Sequence, residues 1–439
     1  MYEQWIIALL VAPLVIAFES FALRGTKNRT VCTAFHITGL ILMLFFSVQV
    51  ISGVLEKGSI SAFNNWVYVD SLSAIFLGLI AVVGSLADVF SIGYINTELE
   101  EGDIDFKTYA HYHGFLHLFF FTMIVSVITN NLILMWVAIE ATTLSSAFLV
   151  GTYKQKTSLE AAWKYIIICS VGVAFGLYGT LLTFANANGV LADPSQAIFW
   201  SAVNQQATGL NPMLMYIAFA FVLIGFGTKC GLFPMHTWLS DAHSEAPSPV
   251  SAILSAVLLN CAMLVVLRYY TLVSKAVGAE FPQTLMLIFG LLSVLVAALF
   301  IIVQFDIKRL LAYSSIENMG LISFAFGLGG PIGVFAGLLH TINHSLAKTL
   351  LFCASGNILL KYKTRDMNQV RGLWRVAPVS AVLFAGGALA LGGIPPFNVF
   401  VSEFSVVVAG ITAGKTWLVI LCLILLTIVL AGLALMLLK

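Results

Sequence analysis

Lys229 stands inside the apolar run from Met213 to Phe233. An ammonium that must live in a bilayer is costly, so it pairs, titrates or lines a hydrated cavity. Glu140, in NNLILMWVAIEATTLSSAFLV, sits in mid-span with the opposite sign, and its ionised form needs a cation or water beside it. Lys229 is its expected partner. A carboxylate that pairs with a lysine also strengthens that lysine's hold on a proton, so separating the two favours release. The pair reads as a switch.

A second set lies in LLHTINHSLAKTLLF, where His340, His344 and Lys348 fall at i, i+4 and i+8. That spacing places all three on one side of a helix. Imidazole accepts a proton on one nitrogen and releases it from the other, so a proton wire is the functional reading. The alternatives are hydrogen bonds that pack helices, or a zinc site built on His340 and His344, for which no third ligand sits nearby. Glu317, in KRLLAYSSIENMGLIS, is balanced between a functional and an interfacial place. Asp88 and Glu19 read as interfacial or packing residues, and Lys308 and Arg309 as anchors of the inner face. No metal site is expected anywhere.

These residues need a membrane scaffold. Of the 439 residues 60% are hydrophobic and 9% charged, the balance of a polytopic membrane protein. A spanning helix takes roughly 20 mostly apolar residues. Thirteen such segments can be drawn: 4–23, 32–53, 70–93, 112–129, 131–151, 164–185, 213–233, 249–271, 283–303, 310–329, 332–359, 377–410 and 416–438. The expected fold is therefore all-α, with a fourteenth span in a longer form of the chain. The first segment lacks a basic n-region and a small-residue cleavage site, so it is expected to stay as a helix.

Two spans are interrupted. GFGTKCGLFPMHTWLSDAHSEAPSPV (225–250) sets glycines and Pro234 beside Lys229 and then reaches His236, Asp241, His243 and Glu245. GGIPPFNVFVSEF (392–404) sets Gly392, Gly393, Pro395 and Pro396 ahead of Glu403. Interrupted spans at corresponding places in two halves mark inverted-repeat transporters, whose freed backbone groups line a hydrated cavity. The expected layout is a three-helix segment (1–110), a first five-helix repeat (111–272) and a second (273–439), with spans seven and twelve broken.

If the loops alternate sides, one side collects fourteen Lys and Arg, among them Arg24, Lys27, Lys154, Lys308 and Arg375. The other receives only Lys57, Arg268, Lys275 and Lys415. The richer side is then cytoplasmic, the N-terminus external, and the last span ends inside at Lys439. Residues 186–211 form a polar external loop and 97–107 an acidic cytoplasmic one, read as solvated or as a docking surface. The six cysteines lie singly in apolar spans, without a CxxC pair, so iron-sulfur and structural zinc sites lack ligands. A net charge of +1 argues against nucleic acid. No phosphate loop, nucleophile elbow or dinucleotide fingerprint is present, so a catalytic centre in this chain is not expected.

The segments TKCGLFPMHTWLSDAHSEAPSPVSA, FDIKRLLAYSSIENMGLI and HTINHSLAKTLLFCASGNIL resemble the antiporter-like, proton-translocating subunits shared by respiratory complex I, Mrp-type cation/proton antiporters and group 4 nickel-iron hydrogenases. The resemblance runs from about Asp70 to the end. EAAWKYIIICSVGVAFGLYGT, SSIENMG and IPPFNVFVSEF are most similar to the F-type subunit of hydrogenase-4 and formate hydrogenlyase. It implies a coupled pair at Glu140 and Lys229, a hydrophilic axis through His340, His344 and Lys348, and a closing charge at Glu403. His236, Asp241 and His243 match the polar turn after the seventh helix. Two positions depart from the pattern. Asn260 stands where many members carry a lysine or histidine and cannot hold a proton at neutral pH. Val173 replaces an acidic residue of the sixth helix, which leaves Lys164 as the main charge there. Waters could bridge both gaps, or pumping could have given way to a structural role.

The implied function is proton or sodium translocation by a subunit of a larger complex in a bacterial or archaeal cytoplasmic membrane. Its partners would be other membrane subunits, lipid, and a peripheral hydrogenase or dehydrogenase arm holding iron-sulfur clusters and a nickel-iron centre, with no cofactor in this chain. The alternatives are a cation/proton antiporter subunit, the membrane subunit of an inorganic carbon uptake complex, and a non-pumping scaffold.

Overall fold

The computed structural model describes residues 2–26 and 28–438. Lys27 and Lys439 lie outside the described residues. The chain opens with three long helices, α1 (Tyr2–Ala22), α2 (Arg29–Lys57) and α3 (Ser71–Glu101). Between the last two, β1 (Ser59–Ala62) pairs antiparallel with β2 (Val67–Asp70), Ile60 opposite Val69. Four-residue strands are too short for period-two alternation to register, so the sequence does not announce this hairpin.

There follow α4 (Phe106–Ile128), α5 (Leu132–Val150), α6 (Lys156–Asn188), α7 (Trp200–Gln205), α8 (Pro212–Lys229), α9 (Trp238–Glu245), α10 (Ser248–Ile253) and α11 (Leu259–Val277). The last part comprises α12 (Glu280–Ile301), α13 (Ile307–Leu328), α14 (Gly330–Tyr362), α15 (Leu373–Val376), α16 (Pro378–Leu391), α17 (Asn398–Thr412) and α18 (Thr416–Leu438). Asn28, Asp70, Asp105, Asn131, Asn211 and Asp306 each accept amide hydrogen bonds from the first turn of the helix they precede. Such caps satisfy donors that the bilayer cannot.

Ten spans, with α10 and α11 counted as one, are long and apolar enough to cross a membrane among the described residues, so the chain is a multi-pass membrane protein. Three of the thirteen expected segments fall outside that set. α13 and α14 cover 22 and 33 residues, but Lys308, Arg309 and Glu317 in one and His340, His344 and Lys348 in the other dilute their hydropathy. The expected twelfth span is two short apolar helices, α16 and α17.

The axis of the bundle is the helix formed by α10, a π-helical turn at Leu254–Leu258, and α11; its most apolar stretch is entirely buried. Around it, α6 and α8 touch through glycine. A Cβ on Gly225 would lie 2.2 Å from the Gly176 backbone nitrogen, so only glycine admits this approach, which also fixes where α8 delivers Lys229.

Two expected loops are more ordered than the sequence suggests. α3 takes up Thr97 to Glu101, Gly102 ends it at φ +82°, and α4 begins at Phe106. Lys363 then pairs with Glu101 and, at 3.1 Å, with Asp103, so part of the acidic stretch is engaged within the chain. Residues 186–211 fold into α7 and two 3-10 turns, pinned by Trp200 Nε1 donating to the Arg268 carbonyl at 2.9 Å.

Candidate functional site

The first break follows from Gly231, held at φ +75°, and from Pro234, which has no N–H to continue a helix. Lys229 is the last residue of α8, where the partial negative charge of a helix C-terminus favours a cation. Trp238 Nε1 donates at 3.0 Å to the Thr228 carbonyl, which also accepts from the Gly231 amide at 3.1 Å. The Lys229 ammonium is fully buried and donates to Thr143 Oγ1 (2.8 Å) and Tyr165 Oη (2.5 Å). It also lies 4.4 Å from the Tyr165 ring centroid and 5.7 Å from that of Trp238. A hydroxyl-and-aromatic cage of this kind stabilises an ammonium without a counter-ion in contact.

The expected ion pair does not form. Glu140 sits one turn before Thr143 on α5 and accepts from Ser170 Oγ at 2.5 Å, while its Oε2 has no hydrogen-bond partner. The two charges are therefore linked through α5, where Thr143, which holds the ammonium, lies one turn past Glu140, rather than through a contact. Thr143, Ser146 and Tyr165, joined through a 2.7 Å Ser146–Tyr165 contact, are site residues that sequence reasoning misses. Small hydroxyls in apolar runs carry no distinguishing pattern.

The second cluster gathers on α14. Lys348 is fully buried and donates to the Leu311 carbonyl at 2.7 Å and to Ser314 of α13. His340 Nδ1 meets Ser402 Oγ of α17 at 2.9 Å. His344 lies between them with both ring nitrogens buried and unpartnered. Glu317 is 1% exposed and accepts from Asn318, so it belongs to the interior and not to the interface. Glu403 folds back on the second break: a Cβ on Gly393, which has φ +65°, would lie 2.0 Å from its Oε2.

Between the clusters runs the π turn of the central helix. A π turn frees a carbonyl from the regular ladder. Here the Ala256 carbonyl accepts from Asn260 Nδ2 (2.8 Å) and Ser345 Oγ (2.7 Å), and Asn260 also donates to Ser345 at 3.0 Å. Asn260 is thus wired to α14 next to His344, in the place where the sequence suggested a gap.

Other expected residues lie apart. Lys164 is half exposed and joins Glu160 (2.7 Å) and Asp241 (3.2 Å) in a surface cluster that Arg309 completes at 2.7 Å from Asp241. His243 is buried against Phe352 with both nitrogens unpartnered, and His236 stacks on Phe233. Lys308, expected as an anchor, is 2% exposed and donates to the Ala246 carbonyl. Asp88, expected at an interface or in packing, is fully buried beside His36. At the opposite end Arg268 binds Asp70 through two bonds of 2.5 and 2.7 Å. Burial alone would raise the Asp70 carboxyl, but Arg268 and the Ser73 amide outweigh it and hold the group below the ordinary carboxylate range.

Residues 129–429 match the family model described as NADH:quinone oxidoreductase/Mrp antiporter, TM, and residues 61–103 match the complex I chain 5 N-terminus model. The chain is 44% identical over 338 residues to the hydrogenase-4 component F homolog of Methylacidiphilum infernorum, covering 77% of this chain and 71% of that protein. It is 30% identical over 347 residues to hydrogenase-4 component B of Escherichia coli (76% and 49% covered). It is 28% identical over 400 residues to the Na(+)/H(+) antiporter subunit A1 of Staphylococcus aureus (85% and 47% covered). It thus spans about half the length of the latter two. In fold it is similar to a chain of an archaeal membrane-bound sulfane sulfur reductase (TM-score 0.86, 24% identity, 98% of this chain and 86% of that one). It is likewise similar to a chain of the Mrp complex from Dietzia (TM-score 0.81, 20% identity, 97% and 78%).

Proposed function

Because the chain belongs to the NADH:quinone oxidoreductase/Mrp antiporter family of membrane subunits, we propose that it carries protons, or sodium ions, across a membrane within a multi-subunit complex. The observation that carries this reading is the line of titratable groups that flanks the central helix: buried Lys229 with half-buried Glu140 on one side, buried His344, Lys348 and His340 with half-buried Glu403 on the other, and Asn260 and Ser345 between. Redox chemistry in a peripheral hydrogenase or dehydrogenase arm would drive it, with iron-sulfur clusters and a nickel-iron centre in partner subunits. The choice of a hydrogenase among the possible arms is supported by the hydrogenase-4 relatives.

The thirteen-crossing layout, with inverted repeats at 111–272 and 273–439 after 1–110, belongs to the same proposal. Its support is that both breaks read Gly-x-x-Pro, Gly231 to Pro234 and Gly393 to Pro396, and that an acidic residue, Asp241 or Glu403, stands ten positions past each glycine. The complex would lie in a bacterial or archaeal cytoplasmic membrane with the N-terminus outside. A second reading, exchange of a cation for protons, is favoured by the Staphylococcus relative.

The test is proton uptake by vesicles that carry the intact complex, comparing wild type with Lys229→Ala while the redox turnover of the whole assembly is followed. Loss of uptake with assembly retained supports the path. Uptake unchanged would make the subunit a scaffold.

A further inference from the structure

Away from that path, α2, α3 and α4 enclose another polar cluster. His36 of α2, Asp88 of α3, and His113 and His117 of α4 are each 1% exposed or less. His113 and His117 are four residues apart and face the same side of α4. His36 Nδ1 lies 2.9 Å from His117 Nε2, and His36 Nε2 lies 3.0 Å from Asp88 Oδ1. The His36 ring centroid is 4.1 Å from that of His113 and 5.0 Å from that of His117. One donor atom each from His36, Asp88 and His117 fall within 4.8 Å of one another.

Packing leaves this cluster unsatisfied. Both Asp88 oxygens, both His113 nitrogens and His36 Nε2 lack a hydrogen-bond partner; the 3.0 Å approach of His36 to Asp88 has the distance of an ion pair but not the alignment of a hydrogen bond. Among the described residues no lysine or arginine pairs with Asp88. A buried polar group left bare keeps its full desolvation cost, and a bare carboxylate costs more than a neutral group. A divalent cation placed among His36, Asp88 and His117 would meet a carboxylate oxygen and two imidazole nitrogens, with the His113 ring beside them, donors of the zinc class.

We propose that His36, Asp88, His113 and His117 bind a divalent transition-metal ion of the zinc class, which ties α2, α3 and α4 together. The site is independent of the translocation path, and it departs from the metal-free chain that the cysteine pattern suggests. The sequence signal is the i, i+4 histidine pair in YAHYHGFLHLFF, which only the fold connects to His36 and Asp88.

The test uses the purified complex, stripped with a chelator and reloaded with Zn2+ or with Co2+ as a spectroscopic probe. Metal per complex, visible absorption and unfolding temperature are compared between wild type and variants. The expected result is about one more Zn2+ or Co2+ per complex in wild type than in His117→Gln or Asp88→Asn, whose affinity should fall at least tenfold. Co2+ should give a tetrahedral absorption band that Lys229→Ala retains. The chelator should lower the unfolding temperature of wild type and leave the variants unchanged. Should His117→Gln fail to assemble, His113→Gln gives the same comparison. A wild-type complex with no excess metal over the variants, or one that is indifferent to the chelator, overturns the proposal.

Discussion

The two broken helices are built on the same four-residue pattern and hold opposite charges. In the first, Lys229 stands two residues before Gly231 and ends α8; at the matching place before Gly393 the second has Leu391. The second break instead presents Glu403 to Gly393, and its lysine comes from a neighbour, Lys348 on α14. The shells differ in kind as well. Lys229 is held by a threonine, a tyrosine and two aromatic faces, whereas Lys348 is held by a backbone carbonyl and a serine, with an unpartnered histidine one turn away. A helix break thus supplies a polar vacancy in the membrane, and the residues around it decide which charge it keeps and how firmly.

The largest effect expected at either break is on folding. Gly393→Val forces a β-branched residue into φ +65° and against the Glu403 carboxylate, at a cost of about 2 kcal/mol or more. The yield and unfolding temperature of the assembled complex should both drop, and an unchanged yield would show that the second break is looser than the first.

The Arg268–Asp70 pair, close to neither break, provides a structural reference of similar size. Asp70→Asn leaves Arg268 buried without its counter-charge, so about 3 kcal/mol of stability should be lost. The sign with pH follows from the depressed carboxyl. The pair contributes in full above the unfolded carboxylate value of about 4 and is lost as pH falls through the lower folded value. Wild type should therefore lose part of its margin over the variant in acid, which unfolding curves at several pH values would measure.

Tyr165→Phe sharpens the comparison at a smaller scale. It removes the acceptor of one Lys229 hydrogen bond, worth about 1.5 kcal/mol, and keeps the ring beneath the ammonium. Loss of that acceptor weakens the shell that holds the ammonium, so ion uptake by the assembled complex should fall several-fold and by less than in Lys229→Ala. The smallest effect is at the surface, where Lys164→Ala breaks exposed, solvent-screened ion pairs and should leave uptake within twofold of wild type.

Much of this was legible in residue types and spacing. Ten of the thirteen apolar segments fall on helices long and apolar enough to cross a membrane among the described residues, and both breaks were visible as Gly and Pro inside apolar runs. The i, i+4, i+8 set on α14 is buried on one helix, as its period requires. What the sequence concealed depends on contacts between helices far apart in the chain. Glu140 and Lys229 suggest a salt bridge on charge alone, yet Thr143 and Tyr165 claim the ammonium. Asn260 looks like a missing charge until the π turn exposes the Ala256 carbonyl and aligns it with Ser345. Lys164 stands in the sequence as the main charge of the sixth helix, yet that helix begins two turns earlier at Lys156 and the side chain pairs with Glu160 and Asp241 in a half-exposed cluster. Asp88 is read as an interfacial or packing residue until α2 brings His36 to it.

The central claim is that the two breaks belong to one path that passes the π turn of the central helix. Its most direct measurement is the number of ions moved per redox turnover in the intact complex carrying Lys348→Ala. The account predicts that uptake falls by roughly tenfold or more while the complex assembles and redox turnover continues. Uptake at the wild-type ratio would contradict it, because ions would then be bypassing the second cluster altogether.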